Sequence, residues 1–159
     1  MRKTFAHLLT NFMARESRAY FMTADLGYRF FDDVLASHPD RAYNTGAAEQ
    51  LMLGAAVGLA LNGNCIPICY SITPFLLYRP FEIIRNYINY ENLPVKLIGS
   101  GRDKDYAHDG FSHWAEDDKD VLKLFPNIEV VHPESPEHLA AVFESLMYLD
   151  KPVYINLKR

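Results

Sequence analysis

Short apolar, β-rich runs alternate with helix-length segments along the whole chain, and this alternation constrains the fold more than any single motif. The β-rich runs lie at 19–24, 66–72, 94–99, 128–132 and 152–157, and the helical stretches at 4–13, 47–61, 75–90, 115–125 and 136–149. Strands that are apolar throughout, separated by helices, belong to parallel sheets covered on both faces. The expected fold is therefore α/β, a three-layer α/β/α domain with a mainly parallel sheet. Asn62-Gly63-Asn64 reads as a helix stop, and Ser135-Pro136 as a cap with proline at the first helical position. There is no internal repeat, low-complexity tract or linker. A length of 159 residues suits one domain over 1–159.

Composition removes several function classes. With 49% hydrophobic and 23% charged residues the chain is ordinary globular protein, and a net charge of -4 leaves no basic footprint for nucleic acid. Cys65 and Cys69 are spaced neither as a redox pair nor as half of a zinc ribbon, and are expected to be buried free thiols in a reducing compartment. The first residues lack the apolar core and cleavage site of a signal peptide, and no run approaches a membrane span. A cytoplasmic protein with no nucleic-acid or membrane partner is expected.

Ligands of open α/β sheets bind beyond the carboxyl ends of the strands. This directs attention to 25–27, 73–79, 100–113 and 158–159, the last pair closing the final strand. Helix 47–61 carries Gly54 and Gly58 among several alanines. Each helix-interior glycine costs about 1 kcal/mol relative to alanine. A smooth face that admits another helix would offset this, as would close packing on the chain's own sheet; the sequence leaves both open.

Asn44-Thr45-Gly46-Ala47-Ala48-Glu49-Gln50, followed by that small-residue helix, resembles the transketolase family's pyrimidine-binding domain. Thr23-Ala24-Asp25-Leu26-Gly27, the aromatic series Phe75, Tyr78 and Phe81, Asp109-Gly110-Phe111-Ser112-His113, and Pro126-Asn127 with Val130-Val131-His132-Pro133 extend the resemblance, in order, across nearly the whole chain. The resemblance implies thiamine diphosphate as cofactor. Glu49 would hydrogen-bond N1′ of its aminopyrimidine, a contact that favours the reactive imino form in a water-poor slot. Phe75 would be the stacking platform, Tyr78 and Phe81 would complete the aromatic wall (a helix core stripe being the plain alternative), and Asp25 would lie near the cofactor. His113 would assist proton transfer or bind substrate hydroxyls, with Asp109 recognising a hydroxyl nearby.

Four arginines bear on the substrate through the same resemblance. Arg79 and Arg102 sit where deoxyxylulose-phosphate synthases carry phosphate-binding arginines. Arg159 ends the last strand as in both enzyme types, and Arg2 opens the first helix as in transketolases. Guanidinium groups bind phosphate bidentately, so a phosphorylated sugar is the implied substrate. The pattern departs in three places: no histidine occurs in 99–102, Trp114 follows His113, and Arg29 stands where a small hydroxyl residue is usual.

The family holds the cofactor's diphosphate and Mg²⁺ in a second domain with a G-D-G signature, and no G-D-G occurs here. The expectation is a stand-alone subunit active only with a diphosphate-binding partner that mainly holds the Mg²⁺, most simply with two copies of each chain. Such an enzyme would transfer a two-carbon ketol unit between phosphorylated sugars. A 2-oxo acid-using enzyme resembling deoxyxylulose-phosphate synthases or 2-oxo acid dehydrogenases, and a non-catalytic scaffold of the same fold, are the alternatives.

Overall fold

The computed structural model describes residues 1–159. The elements run α1 (Arg2–Arg15), β1 (Ala19–Thr23), α2 (Asp32–Ser37), β2 (Ala42–Asn44), α3 (Glu49–Leu61), β3 (Ile66–Ile72), α4 (Thr73–Tyr78), α5 (Phe81–Ile83), a π-helical turn (Ile84–Asn89), β4 (Lys96–Ser100), two 3-10 turns (Ala107–Asp109 and Phe111–His113), α6 (Asp118–Leu122), β5 (Glu129–Val131), α7 (Pro136–Tyr148) and β6 (Val153–Leu157). The six strands form one sheet in the order β2-β1-β3-β4-β6-β5, and every pairing is parallel.

Both sheet faces are covered, as the continuous apolar strands require. On one face Phe5, Phe12, Phe21, Phe31, Tyr70 and Phe143 pack between the sheet and α1, α2 and α7. On the other, Met22, Met52, Cys69, Leu77, Leu97 and Tyr154 pack under α3, α4 and the π-helical turn. Neighbouring strand residues such as Phe21 and Met22, or Cys69 and Tyr70, fall in opposite cores, which is the period-two alternation of a pleated strand. No helix is long and apolar enough to cross a membrane.

Differences from the sequence-based expectation have local causes. Edge strand β2 and helix α2 are short elements without a periodic signature of their own. The single helix expected over 75–90 is broken, because Pro80 has no N–H to continue the ladder, and the chain resumes as α5 and a π-helical turn. Of the two free thiols, Cys69 is buried, which pushes its pKa well up, whereas Cys65 is only half-buried.

The connection from β2 to β3 crosses from one side of β1 to the other, so the chain reverses direction across the sheet between β1 and β3. In parallel α/β sheets the crevice beyond the carboxyl ends of the strands at such a point is where ligands bind. Asp25, Glu49 and Phe75 all follow strand ends there.

Candidate functional site

Glu49 is placed by the turn that follows β2. The Asn44 Oδ1 accepts hydrogen bonds from the Asp25 and Gly46 backbone N–H groups, both at 3.0 Å, and the Thr45 N–H donates to the Thr23 carbonyl at 2.9 Å. These contacts deliver the chain into α3 with Glu49 as its first helical residue, where the exposed N–H groups and the helix dipole favour a carboxylate. The residue is only 2% exposed. Its Oε1 accepts from Ser71 Oγ at 3.0 Å, and its Oε2 from Arg79 Nη1 at 2.8 Å. An open cleft of about 590 Å³, lined by Ala47, Ala48, Glu49, Gln50, Leu51 and Arg79, meets this carboxylate.

Phe75 stands beside it on α4. The Arg79 guanidinium lies over the Phe75 ring, 3.7 Å from its centroid, and the His113 imidazole meets the same ring edge-on at 4.8 Å. His113 Nδ1 shares a 3.0 Å hydrogen bond with Ser112 Oγ. Four of the expected groups, Glu49, Phe75, Arg79 and His113, thus form one cluster.

The other expected residues lie apart from it. Asp25 adopts a left-handed backbone (φ 49°), and its carboxylate accepts from the Tyr28 hydroxyl and makes no ion pair with the cluster. Asp109 is exposed and pairs with His108 at 3.1 Å. Tyr78 donates to Asp117 Oδ1 at 2.5 Å, and burial followed by that hydrogen bond pushes its hydroxyl pKa up. Phe81, beyond the Pro80 break, packs on Phe125 in the second core at 5.2 Å. The aromatic series therefore shares no single face.

The arginines separate into three environments. Arg102 is buried, donating to Asn156 Oδ1 (3.0 Å), the Asn156 carbonyl (2.8 Å), the Pro133 carbonyl (3.0 Å) and Glu134 (3.3 Å). It clamps the sheet edge and is not offered to a ligand in this arrangement. Arg79 is with Glu49. Arg2 and Arg159, at opposite ends of the sequence, converge on Tyr106: Arg2 Nη1 donates to its hydroxyl at 3.1 Å, and the Arg159 guanidinium lies 5.0 Å from its ring centroid. Neither has a carboxylate within ion-pair distance of its guanidinium, although Arg159 Nη1 donates to the Asp105 carbonyl at 3.3 Å, so two cations without a paired charge converge here.

Sequence reasoning missed three features here. Ser71 reaches Glu49 from a neighbouring strand. Tyr106, whose hydroxyl also lies 3.0 Å from Ser100 Oγ, organises the two arginines. A buried polar knot fixes the loop that carries His113: Asp118 Oδ2 accepts from Tyr154 (2.9 Å) and Asn156 (3.0 Å) and pairs with His132 (3.1 Å), while Thr73 Oγ1 donates to the Gly101 carbonyl at 2.7 Å. Burial opposes the charge on Asp118, but hydrogen bonds from His132 and Tyr154 hold its pKa below the usual carboxylate value. Of this knot only His132 stood in a recognisable motif, through the resemblance carried by Val130-Val131-His132-Pro133 and not through any contact.

Comparison with known proteins agrees with this geometry. The sequence matches the family described as transketolase, pyrimidine binding domain, over residues 1–159. It is 36% identical over 119 residues to an apulose-4-phosphate transketolase subunit of Actinobacillus succinogenes, covering 75% of this chain and 38% of that protein. It is 31% identical to a 6-deoxy-6-sulfo-D-fructose transketolase subunit of Clostridium sp. strain MSTE9, covering 100% of this chain and 49% of that one. Among solved structures it superposes on a split gene transketolase, described as an inactive beta4 tetramer, with a TM-score of 0.85 and 30% identity over 99% of this chain and 50% of the other. The chain thus spans about half the length, or less, of the relatives it matches. With the fold, the glutamate-led helix and the match over its full length in agreement, the chain belongs to the transketolase pyrimidine-binding domain family.

Proposed function

We propose that this chain is the pyrimidine-domain subunit, a single domain over 1–159, of a split thiamine diphosphate-dependent transketolase-like enzyme. The observation that carries the reading is Glu49: a carboxylate almost without solvent, at a helix N-terminus, opening on a cleft and flanked by the face of Phe75. A protein spends stability to bury such a group, and a ligand that presents an N–H to it, such as a protonated ring nitrogen, gives it a purpose. The residues fit the cofactor's aminopyrimidine, because a flat, hydrogen-bonding cation already rests against this carboxylate and this ring.

When bound, thiamine diphosphate supplies a nucleophilic carbon for two-carbon ketol transfer. Glu49 holds the pyrimidine through its ring nitrogen, and Ser71 fixes the orientation of the carboxylate. Phe75 is the platform, and His113, edge-on to that ring, serves substrate hydroxyls or moves a proton. Arg2 and Arg159 suit a phosphate on the sugar, an assignment supported by a relative named for apulose-4-phosphate. In contrast, Arg102 is fully engaged within the chain, so one of the two features favouring a 2-oxo acid enzyme of the deoxyxylulose-phosphate synthase type loses its weight.

The reading assigns the diphosphate and Mg²⁺ to a partner chain, in an assembly with two copies of each. The outer face of α3 supports a partner there. Leu51 is 64% exposed, and Gly54, Ala55, Gly58 and Leu61 continue the exposed apolar strip that starts at the Glu49 cleft. An added Cβ at Gly54 or Gly58 would touch nothing, so the smooth surface is not used for packing on the chain's own sheet. Free thiols suit a reducing, cytoplasmic compartment.

The test is ketol transfer by the assembled enzyme. Glu49→Gln should lower kcat by about two to four orders of magnitude with assembly intact. Unchanged turnover in that variant would refute the role given to Glu49.

A further inference from the structure

Arg79 makes with its own chain the two contacts that the proposed reading requires of the aminopyrimidine. Its planar guanidinium lies 3.7 Å from the centre of the Phe75 ring, and its Nη1 donates to Glu49 Oε2 at 2.8 Å. A ring face covered at that distance has no room for a second flat group, since stacked groups sit about 3.5–4.0 Å apart. From this geometry we infer that Arg79 is an intramolecular stand-in for the cofactor's pyrimidine, closing its seat in the cofactor-free chain and leaving it when the cofactor enters. The inference rests on the reading that Glu49 and Phe75 form that seat.

Two further observations favour a placeholder over a permanent strut. The Glu49 side chain is 2% exposed and the Arg79 side chain 43%, so the carboxylate is fixed while the arginine reaches in from the surface. Beyond Glu49 the guanidinium has no other hydrogen-bond partner, in contrast to the four that anchor Arg102. Only one exposed side chain must rotate to open the site. The placeholder also serves the free chain, because a buried carboxylate without a partner is strongly destabilising. Arg79 supplies the compensating charge until the cofactor's ring nitrogen, protonated and so an N–H donor, takes its place.

The stand-in competes with the ligand, so removing it should strengthen binding. Thiamine, which carries the aminopyrimidine without the diphosphate, is the probe. The full chain is titrated by NMR as wild type, Arg79→Met and Glu49→Gln, following the thiamine ring protons and the Arg79 Nε–H. Loss of one half-exposed ion pair and one stacked cation predicts about tenfold tighter binding by Arg79→Met. In wild type, the Arg79 signal should shift as thiamine saturates. Arg79→Lys, which keeps a charge beside Glu49 but gives up the flat stack, should gain a few-fold, and it carries the test if the methionine variant does not fold. Binding that depends on Glu49 but is equal or weaker without Arg79, or that leaves the Arg79 signal unmoved, overturns the stand-in alone. Binding indifferent to Glu49→Gln, or absent from every variant, overturns the pyrimidine seat and the stand-in together.

Discussion

A Cβ at Gly101 would lie 2.4 Å from the Tyr106 ring, and the backbone there has φ +88°, so this position admits glycine alone while Tyr106 keeps its place. The space over this strand end is taken by Tyr106, which reaches Arg2, Ser100 and Arg159. Gly27 repeats the device at the end of β1, where a Cβ would lie 2.3 Å from Phe31. If the two arginines serve a phosphate, Arg159→Ala should raise KM for a phosphorylated donor by about ten- to a hundredfold and leave kcat nearly unchanged, measured by steady-state kinetics of the assembled enzyme. Glu49 and His113 stood out in the sequence through short motifs and Phe75 through its aromatic spacing, and the structure sets the three side by side. Ser71 and Tyr106 did not stand out, since their partners are 22 and 104 residues away and nothing in the local pattern announces such contacts.

Element by element, the long strands and α3 and α7 followed from periodicity and stop signals, and the parallel, doubly covered sheet followed from them. What escaped was the consequence of Pro80. The sequence spacing of Phe75, Tyr78 and Phe81 suggests one aromatic face, but the break after α4 sends Phe81 to the core, while on α4 itself Phe75 meets the site and Tyr78 meets Asp117. The loop between β4 and α6 is held at its far end by Asp118, whose carboxylate meets Tyr154, Asn156 and His132. Asp118→Ala takes the carboxylate acceptor from Tyr154 and His132, while Asn156 keeps Thr73 and the Gly101 carbonyl, and should cost about 2–4 kcal/mol in denaturant unfolding. The folded pKa of Asp118 is depressed, so its ionised form stabilises the fold above the ordinary carboxylate range. That contribution is lost as pH falls through the folded value, and the gap between wild type and variant should narrow in acid.

At the scale of the whole molecule, α3 is apolar on both sides, with Met52, Leu53 and Ala56 in the core and Leu51, Gly54 and Gly58 facing outward. A helix hydrophobic all round is a buried helix, so the outward strip supports the proposed second chain. Leu51→Asp should leave unfolding of the isolated chain within about 0.5 kcal/mol of wild type, as surface substitutions do. It should weaken assembly with the partner by about a hundredfold in a sedimentation or light-scattering titration. The sequence could suggest this strip through its glycines but could not decide between sheet and solvent, because that depends on which side of the helix the sheet lies. The central claim is that the Glu49 seat works only when another chain supplies the diphosphate site. Calorimetric titration of thiamine diphosphate with Mg²⁺ into this chain, a diphosphate-domain chain and their mixture tests it most directly. The account predicts tight binding by the mixture and much weaker binding by either chain alone; equal affinity for the isolated chain and the mixture would contradict it.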